Sequence, residues 1–152
     1  MEEQVKDKTL IRLKRKFTSP VKPLFEAFLS AEEFREWFSP PGFEAGNFTI
    51  DPVVGGDYNC EFLKQNVHVL TIKGKYIIIE RYKKISFTLM YDPDVSSIGQ
   101  CNVHLIFDEK EDHTEIILLQ EIYRTIDAEG RTKGWEFMFT NLENILTDKK
   151  NN

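Results

Sequence analysis

The chain has 152 residues, of which 41% are hydrophobic and 30% charged, and its net charge is -5. This length fits one domain that can bury roughly two-thirds of its unfolded surface. The acidic balance argues against general attraction to nucleic acid or to an anionic membrane. No apolar run reaches membrane-spanning length, and the polar start, MEEQVKDKT, does not resemble a secretory signal. We therefore expect a cytoplasmic protein with a single domain over residues 1–152 and an ordered core at about 8–148.

The first elements are a strand and two short helices. TLIRLKRKF, residues 9–17, alternates apolar residues with Arg and Lys, which predicts a half-buried strand. From Pro20 the apolar residues take the three-four spacing of a helix. Ser30 followed by Glu33 forms a capping box for a second helix, AEEFREWF, which SPPG ends.

Six further strand-like runs follow, separated by turn-like segments that predict antiparallel, sequential pairing. They cover residues 47–50, 57–63, 67–80, 84–91, 100–107 and 114–123. The C-terminal segment has one apolar helical face, formed by Trp135, Met138, Phe139, Leu142, Ile145 and Leu146. Since two short helices cannot cover so large a sheet, the long helix must lie across it. The prediction is an α+β fold in which a curved seven-stranded antiparallel sheet wraps around a long C-terminal helix.

Four motifs in this order resemble a known family. They are TSPVKPLFEAFLSAEEFREWFSPPGF, DPVVGGDY, IKGKYIIIERYKKISFT and KGWEFMFTNLENIL. Together they are similar to the successive motifs of the family named after the activator of the heat-shock protein 90 ATPase, within the START-like superfamily of birch-allergen-like and polyketide-cyclase-like proteins. The resemblance covers nearly the whole chain.

The resemblance implies a helix-grip fold with a cavity between the sheet and the C-terminal helix. It also implies a diverse group, many of whose members bind small hydrophobic molecules. The family's usual histidine near the end of the last strand is replaced by Gln120. This departure argues against a mechanism that needs an imidazole at that position.

Strand alternation identifies the side chains that face the helix. The predicted ligand-binding residues combine aromatic, apolar and polar groups of this inward set with helix residues: Tyr58, Phe62, His68, Tyr76, Phe87, Tyr91, Leu118, Gln120, Trp135, Met138 and Phe139. The same alternation points Ile78 inward. The polar members either orient a mostly apolar ligand or bond to each other, to water or to strand ends.

Two glycines stand where alanine would be more stable by roughly 0.5 to 1 kcal/mol. Gly74 lies within a long predicted strand and Gly134 near the start of the C-terminal helix. Close backbone approach or a bulge is the first interpretation, and for Gly134 it is close approach of helix to sheet. The second interpretation is that Gly134 leaves room at the mouth of a pocket beside Trp135.

Signals for metal, cofactor or covalent chemistry are missing from the sequence. Its histidines lack metal-ligand spacing, and VVGGDY leads into a strand instead of a helix, so no phosphate loop is predicted. Cys60 and Cys101 form no CxxC pair and are expected to be small core residues. We predict no metal, no cofactor and no catalytic residue.

Three functions remain open at this stage. The first is a non-enzymatic protein, monomeric or homodimeric, that binds a small hydrophobic or amphipathic molecule. The second is a chaperone-associated interaction module that uses the outer sheet or residues 37–43. The third is a cyclase-like or hydrolase-like enzyme for a small aromatic substrate, with His68 and Tyr76 as acid and base.

One surface feature also has two interpretations. Ile106, Ile117 and Leu119 point outward by alternation, beside the basic face of the first strand. They form either a protein interface or isolated strand residues covered by Lys and Arg stems.

Overall fold

The computed structural model describes residues 9–93, 99–122 and 128–151. Its strands are β1 (Thr9–Phe17), β2 (Glu44–Ile50), β3 (Asp57–Lys64), β4 (Val67–Glu80), β5 (Lys84–Asp92), β6 (Cys101–Glu109) and β7 (Thr114–Ile122). Its helices are α1 (Val21–Glu26), α2 (Ala31–Trp37) and α3 (Ala128–Asn151). Tyr123, predicted as the end of the last strand, lies outside the described residues.

The strands form one antiparallel sheet in the order β1-β7-β6-β5-β4-β3-β2. Strands β2 to β7 pair with their sequence neighbours, and β1 joins the far edge beside β7. The 24-residue helix α3 contacts β1 and α2, on the apolar side of the curved sheet. The predicted helix-grip architecture is confirmed.

The two short helices are positioned by local hydrogen bonds. The Ser30 hydroxyl accepts from the backbone N–H of Glu33 at 3.3 Å, which confirms the predicted N-cap of α2. The Trp37 indole donates to the carbonyl of Ala27 at 3.0 Å, which ties the end of α2 back to α1. Both helices therefore present aromatic side chains to the same core.

An aromatic network joins every layer of the fold. The ring of Phe139 on α3 lies 5.4 Å from that of Phe17 on β1 and 6.5 Å from that of Phe28 after α1. It also lies 6.2 Å from Trp37 and 5.7 Å from Trp135. Edge-to-face and offset pairs at such distances add about 0.5 to 1.5 kcal/mol each beyond their area burial. Phe139 is fully buried where these elements meet.

Two irregularities in β4 overturn predictions from strand alternation. Opposite β3, Phe62 pairs with Leu70 but Leu63 pairs with His68, so β4 contains one extra residue, Val69. Such a bulge reverses the alternation beyond it. The prediction that His68 faces the helix is therefore wrong: its side chain is exposed and its Nε2 lies 2.8 Å from the Thr71 hydroxyl.

The second irregularity lies near the other end of β4. Tyr76 pairs with Phe87 and Ile79 pairs with the buried Ile85, with a register shift between them. Ile79 packs against the core, and Ile78 lies opposite Ser86. The inward prediction for Ile78 is therefore wrong, because the extra residue turns it to the other face.

The outward apolar residues of β6 and β7 are partly covered by basic side chains. Ile117 lies opposite Lys14, and Leu119 lies opposite Arg12, in the β1–β7 pairing. Both side chains are half-buried, as is that of Ile106. Long Lys and Arg stems cover apolar surface in this way, which supports the second interpretation of these residues.

Gly74 stands at a close approach between β4 and β5. A Cβ atom there would overlap the backbone carbonyl of Thr88, which already accepts a 2.7 Å hydrogen bond from the Tyr58 hydroxyl. The Thr88 hydroxyl accepts from the backbone N–H of Lys75 at 2.9 Å, so this segment has no freedom to withdraw. Close approach, the first interpretation of Gly74, is correct.

We expect Gly74→Ala to destabilise the protein by about 1 to 3 kcal/mol, because the added methyl group forces the two strands apart. Chemical denaturation monitored by circular dichroism measures this loss. Gly134→Ala is the matched control, since its Cβ meets nothing within 4 Å, and it should be neutral or stabilising by up to about 1 kcal/mol. Equal effects of the two substitutions would contradict this assignment.

Candidate functional site

An apolar cavity lies between the sheet and the N-terminal part of α3. Its volume is about 550 Å³, within the range of small-molecule sites. The described residues that line it are Phe38, Pro40, Pro41, Phe43, Lys64, Val69, Leu70, Ile72, Leu89, Tyr91, Pro93, Gly130, Arg131, Gly134, Trp135 and Met138. Buried side chains such as Ile72 and Leu89 form its floor, and exposed ones such as Pro41 and Val69 form its rim.

Three segments build the walls of this cavity. The chain between α2 and β2 contributes two prolines and Phe43, while β3 to β5 contribute the opposite wall. The bulge in β4 turns Val69 to the cavity rim. Helix α3 contributes two glycines, an arginine, Trp135 and Met138 from its first three turns.

Gly134 leaves part of the cavity open. A Cβ atom at this position would meet nothing within 4 Å, and the residue itself lines the cavity beside Trp135. The first interpretation, close approach of the helix to the sheet, is therefore wrong for Gly134. The second interpretation, room at the pocket mouth, is the one that fits.

Two cations and a phenol supply the polar part of the lining. The Arg131 guanidinium stacks 4.8 Å from the centre of the Tyr91 ring, and its Nη1 donates to the Tyr91 hydroxyl at 2.8 Å. Burial raises the pKa of the Tyr91 phenol, and the nearby Arg131 charge opposes this rise. At the rim, Lys64 Nζ lies 4.6 Å from the centre of the Phe43 ring.

Three of the residues predicted to bind a ligand line the cavity. These are Tyr91, Trp135 and Met138. His68 is exposed and points away from this space. The remaining predicted residues lie in the packed core or in its hydrogen-bond network.

Tyr58, Tyr76 and Phe87 pack against one another instead of enclosing a ligand. Their ring centres are 5.5 to 6.3 Å apart, and the space that they border with Phe28, Phe34 and Ile85 is about 10 Å³. A single water needs at least about that much room. These three side chains therefore form core, not cavity wall.

Phe62, Leu118 and Phe139 are also core residues. Each is fully buried. Phe62 packs against the rings of Phe38, Phe43 and Phe48, and Leu118 lies between its partners on β1 and β6. They shape the wall behind the cavity without reaching its surface.

Gln120 links α3 to the sheet. Its Oε1 accepts from the Trp135 indole N–H at 2.8 Å, and its Nε2 lies 3.3 Å from the sulfur of Cys101. Gln120 is 1% exposed, so its amide provides hydrogen-bond partners for buried groups of the protein. The polar group of Gln120 is therefore bonded within the protein, to Trp135 and Cys101.

Sequence reasoning missed most of the cavity lining. The sequence predicts the two prolines before Phe43 only as a helix stop, but they also form part of the cavity rim. Periodicity gives no signal for Arg131, because it stands in a polar stretch before the apolar helical face. The signal that could have found it is its position one helical turn before Trp135, on the face that carries the pocket glycines.

Two other depressions differ from this cavity in character. One, of about 500 Å³, is lined by Asp57, Lys73 and Lys75 among others, and one of about 670 Å³ lies at the β4–β5 turn among charged residues. Among the described residues, no cluster of His, Cys, Asp and Glu side chains could hold a metal ion. No helix in the described ranges is long and apolar enough to cross a membrane.

The thiols of Cys60 and Cys101 are buried and free. Burial raises the pKa of both, although the contact with Gln120 opposes the rise for Cys101. We expect neither thiol to react with Ellman's reagent in native protein at pH 8, and both to react at once in denaturant. Rapid labelling of the native protein would show that the core opens, or that one thiol is activated.

The hydrogen bond between Gln120 and Trp135 should contribute measurably to stability. A double-mutant cycle with Gln120→Met and Trp135→Phe isolates it from the packing of each side chain. We expect a coupling free energy of about 0.5 to 1.5 kcal/mol, measured by urea denaturation. Additive effects of the two substitutions would mean that the bond adds nothing.

Comparisons with known proteins place the fold among solved structures. A protein from Chromobacterium violaceum superposes with a TM-score of 0.80 at 24% identity, covering 90% of this chain and 96% of the other. A protein from Rhodobacter sphaeroides gives a TM-score of 0.78 at 20% identity, covering 92% and 93% of the two chains. At these identities the likeness concerns the fold.

A third neighbour comes from a biosynthetic locus. DynU16, from the dynemicin biosynthetic locus, has a TM-score of 0.71 and 15% identity, covering 91% of this chain but 47% of its own. No protein with a curated description matches the sequence.

The family comparison agrees with the resemblance seen in the motifs. The model described as activator of Hsp90 ATPase homolog 1-like protein matches residues 18–147, which extend from the end of β1 almost to the end of α3. The chain therefore belongs to the family of activator of Hsp90 ATPase homolog 1-like proteins, within the START-like superfamily.

Proposed function

We propose that this protein binds a small hydrophobic or amphipathic molecule in the cavity between the sheet and α3. The observation that carries this proposal is the 550 Å³ cavity, whose lining is mostly apolar and includes few polar groups. Sites for small organic molecules have this composition, because apolar walls supply affinity and a few polar groups orient the ligand. Tyr91, Trp135 and Met138 are the members of the predicted site that would contact the ligand.

The geometry of α3 supports a ligand-binding cavity and not an accidental void in the core. Natural cores contain few voids larger than a water molecule. Here Gly134 leaves space open on the helix face that lines the cavity, at a cost in helix propensity of about 1 kcal/mol relative to alanine. Trp135, the next residue along the helix, is held in place by its bond to Gln120. The cavity is thus open at Gly134, and the neighbouring Trp135 side chain is held in a fixed position.

The enzymatic alternative has less support. Its acid-base pair is separated, since His68 is exposed on the outer face while Tyr76 is buried against Tyr58 and Phe87. Burial also raises the pKa of the Tyr76 phenol, which makes proton release harder near neutral pH.

The outer face of the sheet brings together the residue types of a hydrolytic triad. Ser86 Oγ lies 2.8 Å from His104 Nδ1, and His104 Nε2 lies 3.4 Å from Glu121 Oε2. Ser86 is 0% exposed, so a substrate carbonyl cannot approach its hydroxyl. We interpret these two contacts as polar cross-strand interactions that stabilise the sheet.

Part of the surface expected to contact a chaperone is buried. Within residues 37–43, Trp37 and Phe38 are each 1% exposed and belong to the core.

The free thiols of Cys60 and Cys101 suit a reducing compartment, which supports the expected cytoplasmic location.

A neutral fluorescent probe, N-phenyl-1-naphthylamine, tests the proposed function. We expect it to bind with enhanced fluorescence, and Gly134→Leu to weaken its binding at least about tenfold, because the leucine occupies the open space beside Trp135. The variant should remain folded, since leucine favours the helix over glycine.

Glu136→Leu is the control, because it adds the same side chain at an exposed position of the same helix. It should leave probe affinity unchanged. Absence of binding to the unmodified protein, or equal binding to Gly134→Leu, would contradict the proposal.

A further inference from the structure

The charge of the cavity lining contrasts with that of the chain. The protein carries a net charge of -5. Among the described residues that line the cavity, however, the charged ones are Lys64 and Arg131, and the others are apolar, aromatic, proline or glycine. The described lining thus combines apolar side chains with positive charge, and none of these described residues carries a carboxylate.

Arg131 is held in a defined orientation. Its guanidinium stacks on the Tyr91 ring at 4.8 Å and donates through Nη1 to the Tyr91 hydroxyl at 2.8 Å. Stacking on an aromatic face and bonding to a fixed hydroxyl restrict the side-chain rotamers that a free arginine would sample. A cation that is ordered in advance loses less entropy when a ligand binds.

The Tyr91 hydroxyl adds a donor beside the guanidinium. Its oxygen accepts from Arg131, so its own proton is directed elsewhere. The raised pKa of the phenol keeps this proton in place near neutral pH. The nearby Trp135 indole already donates to Gln120. The polar end of the cavity therefore offers a neutral O–H donor beside a cation.

Lys64 places a second cation on the same lining. Its ammonium lies over the Phe43 ring at 4.6 Å and its side chain is exposed at the rim. A charge at the entrance of a low-dielectric cleft raises the local concentration of oppositely charged ligands. Both cations of the lining favour the same ligand charge.

We propose that the ligand is an anionic amphiphile, an apolar aliphatic or aromatic body with a carboxylate that is bound by Arg131 and Tyr91. The apolar body occupies the space bordered by Ile72, Leu89 and Met138. This inference rests on the proposed function and specifies its ligand class. Charge-assisted hydrogen bonds to a carboxylate in such a site are roughly twice as strong as neutral ones, so the acid should be preferred over an uncharged analogue.

Two acid and amide pairs test the inference. Decanoate and decanamide represent an aliphatic body, and 1-naphthylacetate and 1-naphthylacetamide an aromatic one. Competition against N-phenyl-1-naphthylamine gives the affinity of each. We expect at least one acid to bind about tenfold or more tightly than its amide, and the better pair to identify the body that the cavity accepts.

Variants then assign the preference to residues. Arg131→Gln and Tyr91→Phe should each reduce the acid-to-amide ratio, Arg131→Gln to within about twofold of unity. Lys133→Gln is the matched control, because it removes one positive charge from the exposed part of the same helix. It should leave the ratio unchanged. Circular dichroism and probe binding confirm that each variant retains its fold and cavity.

The outcomes separate this inference from the proposed function. Equal affinity for acid and amide, with the neutral probe still bound, overturns the anionic ligand class and leaves the proposed function standing. A preference that survives in Arg131→Gln overturns the assignment to Arg131. If neither the probe nor any pair binds, both the inference and the proposed function are overturned.

Discussion

Covering the apolar face of a curved seven-stranded sheet with one helix is the constraint on which this structure depends. Strands β3 to β7 direct a continuous set of buried side chains to one face, and of the helices in the described ranges only α3 is long enough to span them. Phe139 lies near the middle of α3 and contacts aromatic rings from β1, from α2 and from the chain after α1. Its fully buried ring fixes the height of the helix above the sheet.

The cavity follows from where this contact ends. Around Phe139 the space between helix and sheet is filled with large rings, while nearer the start of α3 Gly134 provides no side chain to fill the same gap. The Gln120 to Trp135 bond keeps this part of the helix at its distance from β7. One helix thus both closes the core and leaves a pocket open at its N-terminal end.

The chemistry of the pocket is set by a small number of side chains on an apolar background. Family membership establishes the fold and relates the chain to diverse START-like proteins, but the site has its own residues. Gln120 bonds to Trp135 and contacts the sulfur of Cys101, so it serves the packing of α3 on the sheet. Positive charge enters the described part of the pocket lining through Arg131 and Lys64.

The sequence by itself determined the elements, their order and the fold. Each strand and helix buries one face, so the periods of two and of about three and a half appear directly in the positions of apolar residues. Tertiary structure alone decided the site. Strand β4 contains an extra residue at Val69 and another before Ile79, and each reverses the alternation. His68 and Ile78 therefore do not lie on the face that alternation predicts. Alternation also predicts the direction of a side chain but not the space around it. Tyr58 and Tyr91 both point toward the helix. Neighbouring rings fill the space around Tyr58, whereas Gly134 of α3 leaves room near Tyr91.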